Sequence, residues 1–181
     1  MPDQTIMIDG VQVPRFIYGT AWKEDETAHL VGLALELGFR GIDTANQRKH
    51  YYEAEVGRAV RKAVKSGMVT RDNLFLQTKF TFRRGQDHRL PYDSKAPIPD
   101  QVAQSFALSL EHLGTDVIDS YVLHGPTLRE GLADADWEVI GLCRVPPATG
   151  GGVAYLRASQ ALKKVKLSNK DEQTGVEILA R

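Results

Sequence analysis

Three short apolar segments each carry a residue suited to chemistry at or near their carboxyl end, and helical patterns separate them. The segments are GIDTA at 41–45, LFLQTK at 74–79 and IDSYVLH at 118–124, and they present Asp43, Lys79 and His124. Strands that alternate with helices form parallel sheets, because a parallel connection needs a crossover. In a (β/α) barrel the carboxyl ends of the strands build the active site. An acid, an amine and an imidazole at three successive strand ends therefore predict a site on one face of one sheet.

The rest of the chain fits that scheme. TIMI at 5–8, Asp9-Gly10 and VQV at 11–13 read as a hairpin, since Asp-Gly supplies the positive φ angles of a two-residue turn. Residues 16–20 read as a strand. Residues 24–37 read as a helix, with Ala28, Val31 and Leu35 on one apolar row and Leu30, Leu33 and Leu37 on another. A second helix is expected over 53–65, with Val56, Val60 and Val64 on its buried face. Residues 81–99 hold Pro91, Pro97 and Pro99 and read as a long loop of the kind that is often functional. A third helix follows, capped by Asp100, with Val102, Phe106, Leu110 and Leu113 inward and Gly114 at its end. A fourth, over 132–142, carries Trp137 as an expected core residue. After a Pro- and Gly-rich breaker at 145–152, residues 153–156 suggest a fifth strand and 160–181 a weak helix.

Length sets a tension. The 181 residues suffice for one domain with a sizeable core, whereas a full eight-unit barrel takes roughly 250. The expected fold class is α/β: a partial (β/α)8 barrel of about four to five β/α units behind an N-terminal β-hairpin, as a single domain over 1–181. The 23 basic and 23 acidic residues balance, which gives no electrostatic argument for nucleic acid or an anionic membrane. One cysteine, Cys143, excludes an intrachain disulfide. The first residues lack a basic and apolar leader, and no run approaches the roughly 20 apolar residues of a membrane helix. A cytoplasmic protein is expected. The histidines lack metal-ligand spacing, so no metal site is expected.

With these residues assembled, the chain resembles the aldo-keto reductase family. The matching segments, in the family's order, are GTAW at 19–22, GFRGIDTA at 38–45, Glu55-Val56-Gly57, LQTK at 76–79 and DSYVLH at 119–124. The resemblance covers about residues 5–141. It implies a barrel fold, NADP(H) as cofactor and reduction of a small-molecule carbonyl substrate, an aldehyde or ketone, to an alcohol. It also implies a catalytic set of Asp43, Lys79, His124 and a tyrosine. Hydride addition leaves an alkoxide that needs a proton. A tyrosine supplies it if a neighbouring ammonium, here Lys79 paired with Asp43, eases the loss. His124 would orient the substrate carbonyl.

The tyrosine is left open by counting. Back from Val56-Gly57 the position falls on His50; forward from Asp43 it falls on Arg48. Tyr51 is the nearest hydroxyl to both, with Tyr52 as the alternative. Gly19, Thr20 and Asp43 are the cofactor-binding candidates from the matching strands, and Trp22 is either a packing residue or a wall of the substrate pocket, beside His124.

Past Gly141 the resemblance weakens. Residues 152–160 loosely resemble the family's fifth strand, whose end holds the nicotinamide carboxamide. Ser159 fits that position, Gln160 replaces an asparagine, and Arg157 stands where glycine is usual. Strands six to eight have no counterpart, so the chain reads as truncated or divergent. Such a sheet would leave two edges and an apolar interior open, a route to self-association. Two function classes follow: a carbonyl reductase, or an inactive relative acting at most by binding or interaction.

Overall fold

The computed structural model describes residues 4–8, 11–125 and 133–144. Strands β1 (Thr5–Ile8) and β2 (Val11–Pro14) pair antiparallel, with Ile8 opposite Val11. The expected turn residues Asp9 and Gly10 lie outside the described residues. Four β/α units follow: β3 (Ile17–Gly19) with α1 (Thr27–Glu36), β4 (Gly41–Asp43) with α2 (Glu53–Lys65), β5 (Phe75–Phe80) with α3 (Ile98–Leu113), and β6 (Ser120–Leu123) with α4 (Asp134–Arg144). The strands are parallel in the order β3-β4-β5-β6, a partial (β/α)8 barrel. The suggested fifth strand and C-terminal helix fall outside the described residues.

The core lies between sheet and helices. Ile42, Leu76 and Phe80 from the strands meet Val31, Leu35, Val56, Val60, Val102, Phe106 and Leu113 from the helices. Strand alternation puts the other face to different use. Along β5, Leu76, Thr78 and Phe80 turn to the helices, which leaves Phe75, Gln77 and Lys79 on the inner face. Asp43, Gln77, Lys79 and Ser120 are bonded to one another across that face. The inner side among the described strands is therefore substantially polar, against the expected apolar interior.

Several local expectations are corrected. Val64 is exposed at 38% while Ala59 and Ala63 are buried. At 3.6 residues per turn, two steps of four overshoot the buried stripe, and the row drifts to the solvent side. Leu33 and Leu37 are exposed, because the side of α1 that turns inward carries Ala28, Val31, Ala34 and Leu35. Helix α3 begins at Ile98, with Pro97 at its N-cap, so Asp100 sits in the first turn and does not cap. There its charge still complements the amino-terminal dipole. Gly114 closes α3 in the left-handed region, φ 65°. Trp137 is 40% exposed, and the fully buried residues of α4 are Val139 and Asp136, whose carboxylate accepts from the Ala133 N–H.

The motif residue Asp119 is structural. Its Oδ2 accepts from Arg71 Nη2 at 2.6 Å and from the Leu76 N–H at 2.9 Å. Arg71 also donates to the carbonyls of Leu74 and Val117. The pair fixes the start of β6 against β5 and so sets the register that carries His124.

Candidate active site

Asp43 ends β4 and lies opposite Gln77 on β5; Lys79 is two residues further along the same face. The register alone brings acid and amine together. Lys79 Nζ donates to both Asp43 oxygens, at 2.6 and 2.7 Å, and to the Thr44 carbonyl at 2.8 Å. Gln77 Nε2 donates to Asp43 Oδ1 at 2.7 Å, and its own Oε1 accepts from Ser120 Oγ at 2.9 Å. Three strands thus hold one carboxylate. Gln77 and Ser120 were not picked out from the sequence, although the two-residue period placed Gln77 on the Lys79 face.

The segment after β4 decides between the tyrosines. It folds as a tight turn in which the N–H groups of His50 and Tyr51 both bond the Gln47 carbonyl, at 3.1 and 3.0 Å. Tyr51 then turns towards the strand ends. Its ring lies 5.6 Å from the His124 ring, edge to face, and 4.9 Å from Lys79 Nζ. Tyr52 is at the N-cap of α2, its ring covered by the Arg48 guanidinium at 3.7 Å. Of the two candidates, Tyr51 is the one gathered with Asp43, Lys79 and His124.

His124 directly follows β6. Its N–H bonds the Phe80 carbonyl at 2.7 Å, and its Nδ1 lies 2.9 Å from Thr81 Oγ1. Thr81, like Gln77, was not singled out from sequence. With the Thr81 hydroxyl donating to Nδ1, the neutral ring carries its proton on Nε2. Trp22, 68% exposed, takes up a left-handed φ of 61°, donates its N–H to the His50 carbonyl at 2.7 Å and stacks on the His50 ring at 4.0 Å. It flanks the segment that carries Tyr51.

Gly19 lies opposite Asp43 in the β3–β4 ladder, and a Cβ added there would meet nothing within 4 Å. Thr20, expected at the cofactor, is instead fully buried. It donates from both backbone N–H and hydroxyl to the Asp43 carbonyl, at 3.0 and 2.9 Å, and so ties β3 to β4. Ser159 and Gln160 lie outside the described residues.

The electrostatics are those of a half-dry site. Burial pushes the Lys79 ammonium below the usual lysine range, and the charge and hydrogen bonds of Asp43 oppose it. Burial, then the Asp43 charge, push the Tyr51 phenol above its usual value. The sequence reading gave Lys79 the task of easing proton loss. In this site Asp43 neutralises that ammonium, and the Tyr51 phenol is held in its protonated form. Burial, then Lys79, bring His124 down to about 4, so its imidazole is neutral at pH 7.

That depression has a consequence for stability. Between the unfolded value of 6.5 and about 4, the unfolded chain binds a proton that the folded one refuses. The contribution is complete above pH 6.5 and is lost as pH falls towards 4. Discounted for partial exposure, it is on the order of 2 kcal/mol. Urea unfolding at pH 7 and pH 5 is expected to show a loss of stability in the native chain that is smaller in His124→Asn. Equal losses in both would refute the assignment.

The comparisons with known proteins bear on this arrangement. The family model described as "Aldo/keto reductase family" matches residues 16–168. That match runs past Gly141, where the sequence resemblance weakens. The chain is 37% identical to aldo-keto reductase AKR2E4 of Bombyx mori over 125 residues, 65% of this chain and 36% of that protein. It is 32% identical to prostaglandin-E(2) 9-reductase of Oryctolagus cuniculus over 131 residues, 68% and 36% respectively. Among solved structures it resembles the Bombyx mori AKR2E4 complex with NADP, with a TM-score of 0.54 and 31% identity over 67% of this chain and 38% of that one. It also resembles an aldo/keto reductase of Brucella melitensis, with a TM-score of 0.52 and 29% identity over 68% and 42%. The chain spans about a third of the length of the curated relatives it matches.

Proposed function

The chain belongs to the aldo/keto reductase family, and on that premise we propose that it reduces an aldehyde or ketone to an alcohol with NADP(H). The observation that carries the reading is the convergence of Tyr51, Lys79, Asp43 and His124 at the carboxyl ends of β4, β5 and β6. The NADP in the Bombyx mori relative's structure supports the cofactor.

The described residues suit the reacting end of that cofactor. The Lys79–Asp43 pair and the two rings surround the strand ends, and the space over Gly19 is open. When bound, NADPH supplies hydride to the carbonyl carbon. The chain's own part is the proton and its placement. His124, neutral and with its proton on Nε2, donates a hydrogen bond that fixes the carbonyl oxygen. Tyr51 delivers the proton to that oxygen. The tyrosinate that forms faces the Lys79 ammonium, whose tie to Asp43 keeps it in place.

The test is a fluorescence titration of the 181-residue chain with NADPH, followed by a screen of small aldehydes and ketones. Saturable binding at on the order of micromolar concentration is expected, with turnover that falls at least ~10²-fold in Lys79→Met. A chain that is folded by circular dichroism yet binds no NADPH would sink the enzyme reading. It would leave a family member that acts at most through binding or interaction.

A further inference from the structure

The most deeply buried carboxylate beside the site is Glu53, the first residue of α2, with 3% of its surface exposed. Both of its oxygens are engaged. Oε1 accepts from the hydroxyl of Thr78 on β5, and Oε2 lies 2.9 Å from His112 Nδ1, near the end of α3. A carboxylate only accepts, so His112 carries its proton on Nδ1 here. The chain positions are informative. Thr78 immediately precedes Lys79, and Glu53 follows Tyr51 by two residues. The carboxylate therefore bolts the strand that carries the amine to the helix start that carries the phenol, and α3 clamps the bolt from behind. The N–H groups of Glu55 and Val56 bond the Tyr52 carbonyl, at 3.0 and 3.2 Å, so the turn with Tyr51 leads directly into this helix end.

We propose that Glu53 is a positioning residue for the site: through Thr78 and His112 it sets the separation of Tyr51 and Lys79 and places a second negative charge behind the Lys79 ammonium, on the helix side of β5. The role in turnover rests on the reading of Tyr51 and Lys79 as the proton-delivering pair; the effect on Lys79 does not. The groups that face Lys79 are Asp43 and Thr44 from the end of β4, the Tyr51 ring and the His124 imidazole, while Glu53 acts on its charge from the helix side of β5. Against the burial that pushes Lys79 down, Asp43 opposes most and Glu53 after it. A residue that only packed would leave the lysine's titration untouched.

Competitive acetylation of the lysines across pH, read by mass spectrometry, follows Lys79 without requiring activity. In Glu53→Gln the midpoint for Lys79 is expected to fall, since an opposite charge has been removed. Val60→Ala, a core deletion in the same helix, is expected to leave that midpoint in place. Glu53→Gln should also lower kcat while leaving the KM for aldehyde nearly unchanged, and Glu53→Asp should recover part of the loss. An unchanged Lys79 midpoint in folded Glu53→Gln overturns the proposal. If that variant does not fold, Glu53→Asp carries the same test: the shorter side chain draws the charge back from β5, the midpoint falls by less than in Glu53→Gln, and no change overturns the proposal. A shifted midpoint in a chain that reduces no carbonyl leaves Glu53's hold on Lys79 standing and removes the reductase reading instead.

Discussion

Tyr51→Phe is expected to lower kcat for NADPH-dependent aldehyde reduction by about 10²–10⁴-fold, the usual contribution of a positioned proton donor. Tyr52→Phe is expected to stay close to the native rate. The contrast comes from where each ring lies. Tyr51 is 5.6 Å from the His124 ring and 4.9 Å from Lys79 Nζ, whereas Tyr52 lies beneath Arg48 at the start of α2. Removing the Tyr51 hydroxyl leaves its ring and the Lys79–Asp43 pair in place, so substrate and cofactor affinity should change little. The loss should appear in kcat and kcat/KM together, as for an interaction made only in the transition state. Steady-state kinetics on both variants make the check. A larger loss in Tyr52→Phe, or equal losses in both, would move the acid to the other tyrosine or out of this segment.

The second large effect concerns stability. Gly57 on α2 lies where α3 passes closest. A Cβ built there would sit 1.9 Å from the His112 carbonyl oxygen and 2.8 Å from the Leu113 Cα. Both obstacles are backbone, so no rotamer change relieves them and the two helices must separate. Gly57→Ala should cost about 3 kcal/mol or more, at the upper end for overpacking, which for a domain of this size corresponds to a Tm lower by about 10 °C. Gly32 on α1 gives the opposite sign. A Cβ there meets nothing within 4 Å, and alanine in a helix interior is better than glycine by about 1 kcal/mol. Urea denaturation midpoints of the two variants separate the cases. A Gly57→Ala chain as stable as the native one would refute the close α2–α3 packing. The same packing explains why the Glu55-Val56-Gly57 motif matters without touching chemistry: it lets α3 bring His112 to Glu53.

Chain periodicity was enough to recover the element order. A period of two marked the strands, a period near 3.6 marked the helices, and Gly114 marked a helix end that the structure gives positive φ. The same period placed Asp43, Lys79 and His124 at strand ends, because parallel strands of similar length present equivalent ends to one face. These signals are local, carried within a few residues of each position.

Other features required the chain to be folded. Val64 and Trp137 are as apolar as their buried neighbours, and only the direction of the helix against its partners puts them at the surface. Asp43 is held by Gln77, Lys79 and, through Gln77, Ser120, from two further strands. Glu53 meets a histidine 59 residues away. Which of Tyr51 and Tyr52 lies beside Lys79 and His124 was set the same way. The turn at 46–52 is pinned by the loop after β5, through Gln47 to the Gly85 carbonyl, Gln86 to the Asn46 carbonyl and Arg89 to the Arg48 carbonyl. By itself, then, the sequence determined that Asp43, Lys79 and His124 lie at or near strand ends on one side of the sheet, since backbone periodicity is a property of each segment. Only the tertiary structure decided which neighbour each of them faces, since hydrogen bonds between segments dozens of residues apart set the turn and helix geometry that aims the side chains.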